Sequence, residues 1–141
     1  MIIRRKSIIT ERVDKQKYIA LFQDSTFVTR VHPFTNEVHV MKEWLSHCTA
    51  EGGGDGPEAV ADAMNDTLHL SWRSNATKVC ILISDAPPHG LKQCADGFPD
   101  GCPLGHDPLK IARQMADVGI TLYVAGVEPP IGMGVRRVLF S

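Results

Sequence analysis

Two short and almost unbroken apolar runs constrain the fold more than any other feature of this chain. The first is KVCILIS at residues 78–84, and the second is ITLYVAGV at residues 120–127. Unbroken apolarity, in place of alternation, is typical of a strand that is covered on both faces of a sheet. Each run is therefore predicted to be a buried strand.

The segment between the two runs carries the signals of a helix. Asp107 and Pro108 combine an N-cap residue with a proline that suits the first turn, and Gly119 stands where a helix C-cap belongs. A strand, a helix and a second strand in this order predict a right-handed βαβ unit with parallel strands. The fold class that follows is α/β.

Two more helices are predicted upstream of the first apolar run. One follows a cap at Thr35 and Asn36 and ends near His47, with apolar residues at helical spacing between them. The other has Pro57 in its first turn and an inward stripe that reaches Ser71. Both helices are expected to pack one apolar face against the sheet.

A strand is predicted over residues 26–34, and its polar Arg30 and His32 favour a position at the edge of the sheet. No element is predicted over residues 1–22. The expected organisation is therefore an unassigned segment at 1–22 followed by one partial domain at 23–141.

Composition excludes several classes of protein. Lys and Arg number 15 against 16 Asp and Glu, so the basic excess of a nucleic-acid-binding protein is missing. No apolar stretch approaches the roughly 20 residues of a membrane-spanning helix. The N-terminus has no apolar core typical of a secretory signal. These observations predict a cytoplasmic protein with no membrane span and no nucleic-acid partner.

The first candidate site residue is Asp85, which directly follows the first apolar run. In open α/β sheets, ligands bind beyond the carboxyl ends of the strands. A carboxylate there suits Mg²⁺, which prefers oxygen ligands. The alternative is a turn aspartate ahead of two prolines.

The second candidate is Asp55 in the glycine-rich loop at residues 52–56. Such a loop before a helix can hold a phosphate, but the lysine of a phosphate-binding loop is missing and Asp55 would repel an anion. A cation is the better ligand. The alternative is that Asp55 and Glu58 only complement the helix dipole.

A third constellation lies in the long polar loop after Asp85. His89, Cys94, Cys102 and His106 are zinc-ligand residue types, although their spacing fits no standard zinc motif. Zinc binding is one interpretation of the four residues. A disulfide between Cys94 and Cys102, or two free thiols, are the others.

Three stretches together resemble a known family. They are TAEGGGDGPEAVADAMNDTLHLSWR at 49–73, ATKVCILISDAPPHG at 76–90 and DGFPDGCPLGHDPLKIARQMADVGITLYVAGVEPPIG at 96–132. They are similar to a von Willebrand factor type A (VWA) domain, and most similar to the variant that accompanies α-kinase domains in VwkA-type proteins. The resemblance runs from about residue 24 to residue 128.

The resemblance implies a Rossmann-like, three-layer VWA fold with a mainly parallel sheet, truncated at its N-terminus. It also implies a metal-ion-dependent adhesion site that takes Mg²⁺ or Mn²⁺. In that site Asp55 and Asp85 are ligands, and Gly54 and Ser84 are neighbours. The expected partner is a protein that offers a carboxylate to the metal. The expected role is interaction and not catalysis.

The chain departs from the family at the first ligand motif. No D-x-S-x-S is present, and the nearest match is DSTFV at residues 24–28. One alternative is therefore a non-binding fragment of a longer protein, including one that bears a serine/threonine α-kinase domain. A second alternative is a zinc site or zinc-dependent hydrolase on the loop at 89–106.

Overall fold

Five strands and three helices make up the part of the chain that the structure describes. The computed structural model describes residues 8–13, 16–23, 27–47, 56–91 and 96–126. The elements in chain order are β1 (Ile8–Val13), β2 (Gln16–Gln23), β3 (Phe27–Thr35), α1 (Val38–Ser46), α2 (Val60–Leu68), β4 (Lys78–Ser84), α3 (Pro108–Asp117) and β5 (Ile120–Gly126).

The strands form one sheet in the order β3-β2-β1-β4-β5. β4 and β5 are parallel, in a register that runs from Lys78 opposite Ile120 to Ser84 opposite Gly126. α3 connects them, so the predicted βαβ unit is confirmed and so is the α/β class. β3 lies at one end of the described sheet, as its polar residues predicted.

The sheet is mixed, in contrast to the mainly parallel sheet that the resemblance implies. β1 pairs antiparallel with both β2 and β4, and β2 pairs antiparallel with β3. Two residues separate β1 from β2, and three separate β2 from β3. Connections this short can only join antiparallel strands, because a parallel pair needs a crossover of a dozen residues or more.

β1 and β2 are elements that the sequence does not predict. Charged Glu11 and Arg12 interrupt the apolar pattern of β1, so no period of two is visible there. β1 nevertheless lies in the middle of the sheet, between β2 and β4. Residues 8–13 thus form the central strand of the described sheet, although no strand is predicted for them from the sequence or from the resemblance.

The core lies where α2 and α3 pack against each other and over β4 and β5. Cys80 and Leu82, two residues apart on β4, are buried on the same face, and Cys80 is a core residue as predicted. The buried hydrophobic residues of this cluster are Ala59, Val60, Ala63, Met64, Cys80, Leu82, Ile111, Met115 and Ile120.

β5 is more exposed than a strand covered on both faces. Ile120 is buried, whereas Tyr123 and Val124 are 59% and 46% exposed. The prediction of a buried strand is therefore wrong for most of β5. The reason is its position at the end of the described sheet, where it pairs with β4 alone among the described strands.

The predicted capping signal holds for α3, but not for α1 and α2. The N-cap of α1 is Glu37 and not Thr35 or Asn36, because Thr35 is the last residue of β3. The Asp107 carboxylate accepts hydrogen bonds from the N–H groups of Leu109 and Lys110, at 2.9 and 3.2 Å, and caps α3 as predicted. α2, by contrast, begins at Val60, so Pro57 lies before its first turn. α2 also ends at Leu68, which leaves Ser71 exposed and not on the buried stripe.

None of the three helices in the described part of the chain has the length and apolarity needed to cross a lipid bilayer.

Candidate functional site

Asp85 lies at the carboxyl end of β4, next to the carboxyl end of the parallel strand β5. Ser84, the last residue of β4, pairs with Gly126, the last residue of β5. Asp85 is half-buried and its Oδ1 atom is fully buried. The side chain thus occupies the edge of the sheet where parallel strands present their ligand-binding loops.

Ser84 shapes the turn that follows β4. Its hydroxyl donates a 2.7 Å hydrogen bond to the carbonyl oxygen of Ala86, and the N–H of Ala86 donates a 3.2 Å bond back to the same hydroxyl. Because Ser84 is only 9% exposed, this local bonding orients the backbone on both sides of Asp85.

The glycine-rich loop ends beside the Asp85 loop. The N–H of Glu58 donates a 2.9 Å hydrogen bond to the carbonyl oxygen of Pro87, and Glu58 forms an isolated parallel bridge with Pro88. Pro57 and Glu58 are both buried. Glu58, which follows the glycine-rich loop, is therefore fixed against the segment that follows Asp85.

Asp55 and Gly54 lie outside the described residues. Asp55 directly precedes Gly56, the first described residue after the glycines, and Gly56 is two residues ahead of Glu58. Of the two predicted carboxylate ligands, the structure therefore describes Asp85. It also describes the backbone contact between Pro87, two residues after Asp85, and Glu58, which follows the glycine-rich loop.

In the long loop, His89 contacts the side chains of Asp96 and Phe98. Its Nδ1 atom lies 2.7 Å from Oδ1 of Asp96, and both side chains are 3% exposed. The other oxygen of Asp96 accepts a 2.7 Å hydrogen bond from the N–H of Gly90. Phe98 packs edge-on against the His89 ring with centroids 5.0 Å apart, and its N–H donates to Oδ1 of Asp96 at 2.8 Å.

These contacts determine the pKa of Asp96. Burial by itself raises the pKa, but the hydrogen bonds from the Gly90 N–H, His89 and the Phe98 N–H outweigh it. The pKa of Asp96 is therefore lowered from its ordinary value of 3.8. The ionised carboxylate of Asp96 is therefore hydrogen-bonded to His89 and Gly90 on one side and to Phe98 on the other.

Cys102 and His106 meet a different carboxylate, that of Asp62 on α2. The Cys102 thiol lies 3.0 and 3.2 Å from the two oxygens of Asp62, and His106 Nε2 lies 3.8 Å from Oδ1. Asp62 is 4% exposed. Burial and the hydrogen bond to Asp62 raise the pKa of the Cys102 thiol above its ordinary value of 9.0. Cys102 is a free cysteine that donates its S–H to Asp62.

The structure does not bring the described candidate zinc ligands together at one point. His89 contacts Asp96, Cys102 and His106 contact Asp62, and Cys94 lies outside the described residues. Across the described ranges, no group of three or more His, Cys, Asp or Glu side chains could hold a metal ion.

Asp62 and Asp96 are the residues that sequence reasoning missed. Asp62 interrupts the apolar run Val60-Ala61-Asp62-Ala63-Met64, and a charge in a buried run signals a buried partner. Asp96 stands before a glycine, a pattern typical of a turn in which the carboxylate bonds the backbone two residues on. Both signals are visible in the sequence, but neither identifies the partner.

One comparison with known proteins found a relative that is similar to part of this chain. The chain is 44% identical over 77 residues to "Alpha-protein kinase vwkA" of Dictyostelium discoideum. The match covers 53% of this chain and 12% of that relative, so the chain spans a small part of the relative's length. No family model matches the chain. No solved structure matches it either.

This similarity is compatible with a VWA-like region in the part of the chain that aligns.

Proposed function

We propose that this chain is a VWA-like protein-interaction module that binds Mg²⁺ or Mn²⁺ at the carboxyl end of β4. Asp85 and Asp55 supply the carboxylate ligands, and Ser84 and Gly54 shape the loops around them. The observation that supports this proposal is the 2.9 Å hydrogen bond from the N–H of Glu58, three residues after Asp55 in the sequence, to the carbonyl oxygen of Pro87, two residues after Asp85. The partner is a protein that offers a carboxylate.

The residues suit a hard cation in their chemistry. Mg²⁺ binds oxygen ligands and is commonly held by one or two protein carboxylates, with water completing its coordination. Asp85 supplies one carboxylate at this edge of the sheet, and Asp55 would supply the second. A bound cation would provide the positive charge that attracts the partner's carboxylate.

The fold supplies rigidity to one side of this site. Asp85 follows a strand that is hydrogen-bonded on both sides, to β1 and to β5. The Ser84 hydroxyl donates a hydrogen bond to the carbonyl oxygen of Ala86 within the turn. Pro87 and Pro88 restrict the backbone that follows. The backbone at Asp85 is therefore restrained before any ligand arrives, which lowers the entropic cost of binding.

A thermal melt in EDTA and then in excess Mg²⁺ or Mn²⁺ tests the proposal. A cation at 100 times its Kd stabilises the folded state by about 2.7 kcal/mol, which raises Tm by roughly 5–15 °C in a domain of this size. Asp85→Ala and Asp55→Ala should each abolish the difference between the two melts. Because each variant is compared with itself, a change in its basal stability does not affect the result.

Asp100→Ala is the matched control, since Asp100 is an exposed aspartate of the long loop. This variant should keep the full cation-dependent rise in Tm. A wild-type chain with the same Tm in EDTA and in Mg²⁺ or Mn²⁺ would contradict the proposal, and so would a full rise in Asp85→Ala.

A further inference from the structure

The outer side of α3 and the start of β5 border an open groove of about 630 Å³. Its apolar lining includes Leu109, Ala112, Ala116 and Leu122, and Leu109 is 50% exposed. Ile111 and Met115 point the other way, into the core. α3 therefore buries one apolar stripe, while Leu109 and Ala116 beside the groove are exposed and Ala112 is half-buried.

The charges on the exposed side of α3 run against its own helix dipole. Lys110 lies in the first turn and Asp117 is the last residue, while the first turn has no acidic residue and the last turn no basic one. Helix N-termini favour negative side chains and C-termini favour positive ones. The Asp107 carboxylate, which caps the N-terminus of α3, offsets the unfavourable position of Lys110, whereas Asp117 keeps its unfavourable place at the C-terminus. An antiparallel α3 helix from a second copy can place a positive charge, that of Arg113, beside Asp117.

Lys110, Arg113 and Asp117 are spaced three and four residues apart, so they form one stripe beside the groove. This stripe is self-complementary. In an antiparallel pair of α3 helices, a two-fold axis level with residue 115 places Arg113 of one copy opposite Asp117 of the other. The same axis generates the second Arg113–Asp117 pair, as an isologous interface requires.

We infer that this groove is the interface with a second copy of the same chain, formed by two antiparallel α3 helices. Ala112 and Ala116 allow the two helices to approach closely, and Leu109 of each copy enters the groove of the other. The occupant is a second copy because the charge pattern matches its own two-fold image, which an unrelated partner has no reason to do.

Analytical ultracentrifugation of the 141-residue chain, at concentrations up to about 100 µM, tests the inference. The wild-type chain should dimerise. Arg113→Asp and Asp117→Arg should each weaken dimerisation by about tenfold or more, because like charges then face each other. The double variant Arg113→Asp/Asp117→Arg should restore it. Circular dichroism confirms that each variant is folded.

Leu109→Glu provides a second disruption that does not depend on the charge stripe, and Val38→Glu is its matched control. Val38 is also 50% exposed, but it lies on α1, which packs on β2 and β3 at the other end of the sheet. A monomeric wild-type chain at every concentration would overturn the inference. A dimer that is insensitive to Leu109→Glu, or that the double variant fails to restore, would also overturn it.

Discussion

The backbone N–H of Glu58 donates a 2.9 Å hydrogen bond to the carbonyl oxygen of Pro87 and joins two loops that are far apart in sequence. Because Pro87 and Pro88 have no N–H groups, only their carbonyl oxygens can take part in such pairing. Asp85 lies two residues before Pro87, and Asp55 lies three residues before Glu58 in the sequence. The contact therefore lies close in sequence to both aspartates that are predicted as cation ligands.

Asp62→Ala should destabilise the fold. The substitution removes the acceptor of the Cys102 thiol and the acidic residue in the first turn of α2. Loss of a buried hydrogen-bond acceptor costs about 1–3 kcal/mol. Urea unfolding measures the change. The exposed control Asp100→Ala should stay within about 0.5 kcal/mol of the wild type, and equal effects of the two variants would contradict this role for Asp62.

Low pH should decrease the free energy of unfolding because Asp96 becomes protonated. The pKa of this buried carboxyl is lowered in the folded state, so its stabilising effect is complete above the ordinary value of 3.8 and is lost as the pH falls through the folded pKa. Urea unfolding at a series of pH values from about 6 to about 3 should therefore show a loss of stability below about pH 4.

Asp96→Asn supplies the comparison for this pH dependence. The amide cannot ionise, so this part of the acid sensitivity should disappear while the variant is less stable than the wild type at neutral pH. If the two proteins lose stability in parallel between about pH 4 and about pH 3, the lowered pKa of Asp96 is not the cause.

Gly90→Ala should destabilise the long loop more than Gly105→Ala. Both glycines have positive φ angles, 86° and 76°, so alanine is strained at either position by about 1–3 kcal/mol. At Gly90, a Cβ atom would also lie 2.8 Å from the Cα of Gly101, whereas at Gly105 it would meet nothing within 4 Å. Thermal melts of the two variants measure the difference, and equal Tm values would rule out the close approach of Gly90 to Gly101.

Met115→Ala should be among the most destabilising single substitutions in the described core. Met115 is fully buried on α3 and packs in the cluster with α2 and β4. Truncating a buried methionine to alanine costs about 2–5 kcal/mol. Val118→Ala, at a position that is 48% exposed, is the control and should change the free energy of unfolding by less than about 0.5 kcal/mol.

The sequence predicts the βαβ unit closely because its signals are local. The bounds of β4 match the apolar run at 78–84, and Asp107 caps α3 as its position before Pro108 indicates. Gly119, with a φ of 77°, ends the turn between α3 and β5. In each case one short segment contains all the information that its conformation requires.

The remaining features depend on contacts that are distant in sequence. β1 lacks an apolar pattern of its own, and its place in the sheet comes from pairing with β2 and β4. Likewise, Asp62 looks like an ordinary helical aspartate until the long loop brings Cys102 and His106 to it. Pro57 lies before the first turn of α2, and the residue after it, Glu58, forms a bridge with Pro88 in place of a helical turn.

Titration with Mn²⁺, followed by electron paramagnetic resonance of the free ion, tests the central claim most directly. The wild-type chain should remove Mn²⁺ from solution at one ion per chain, with excess Mg²⁺ competing for the same site. Asp85→Ala should lose this binding and Asp100→Ala should retain it. A wild-type chain that leaves the free Mn²⁺ signal unchanged, or an Asp85→Ala variant that binds as the wild type does, would contradict the account.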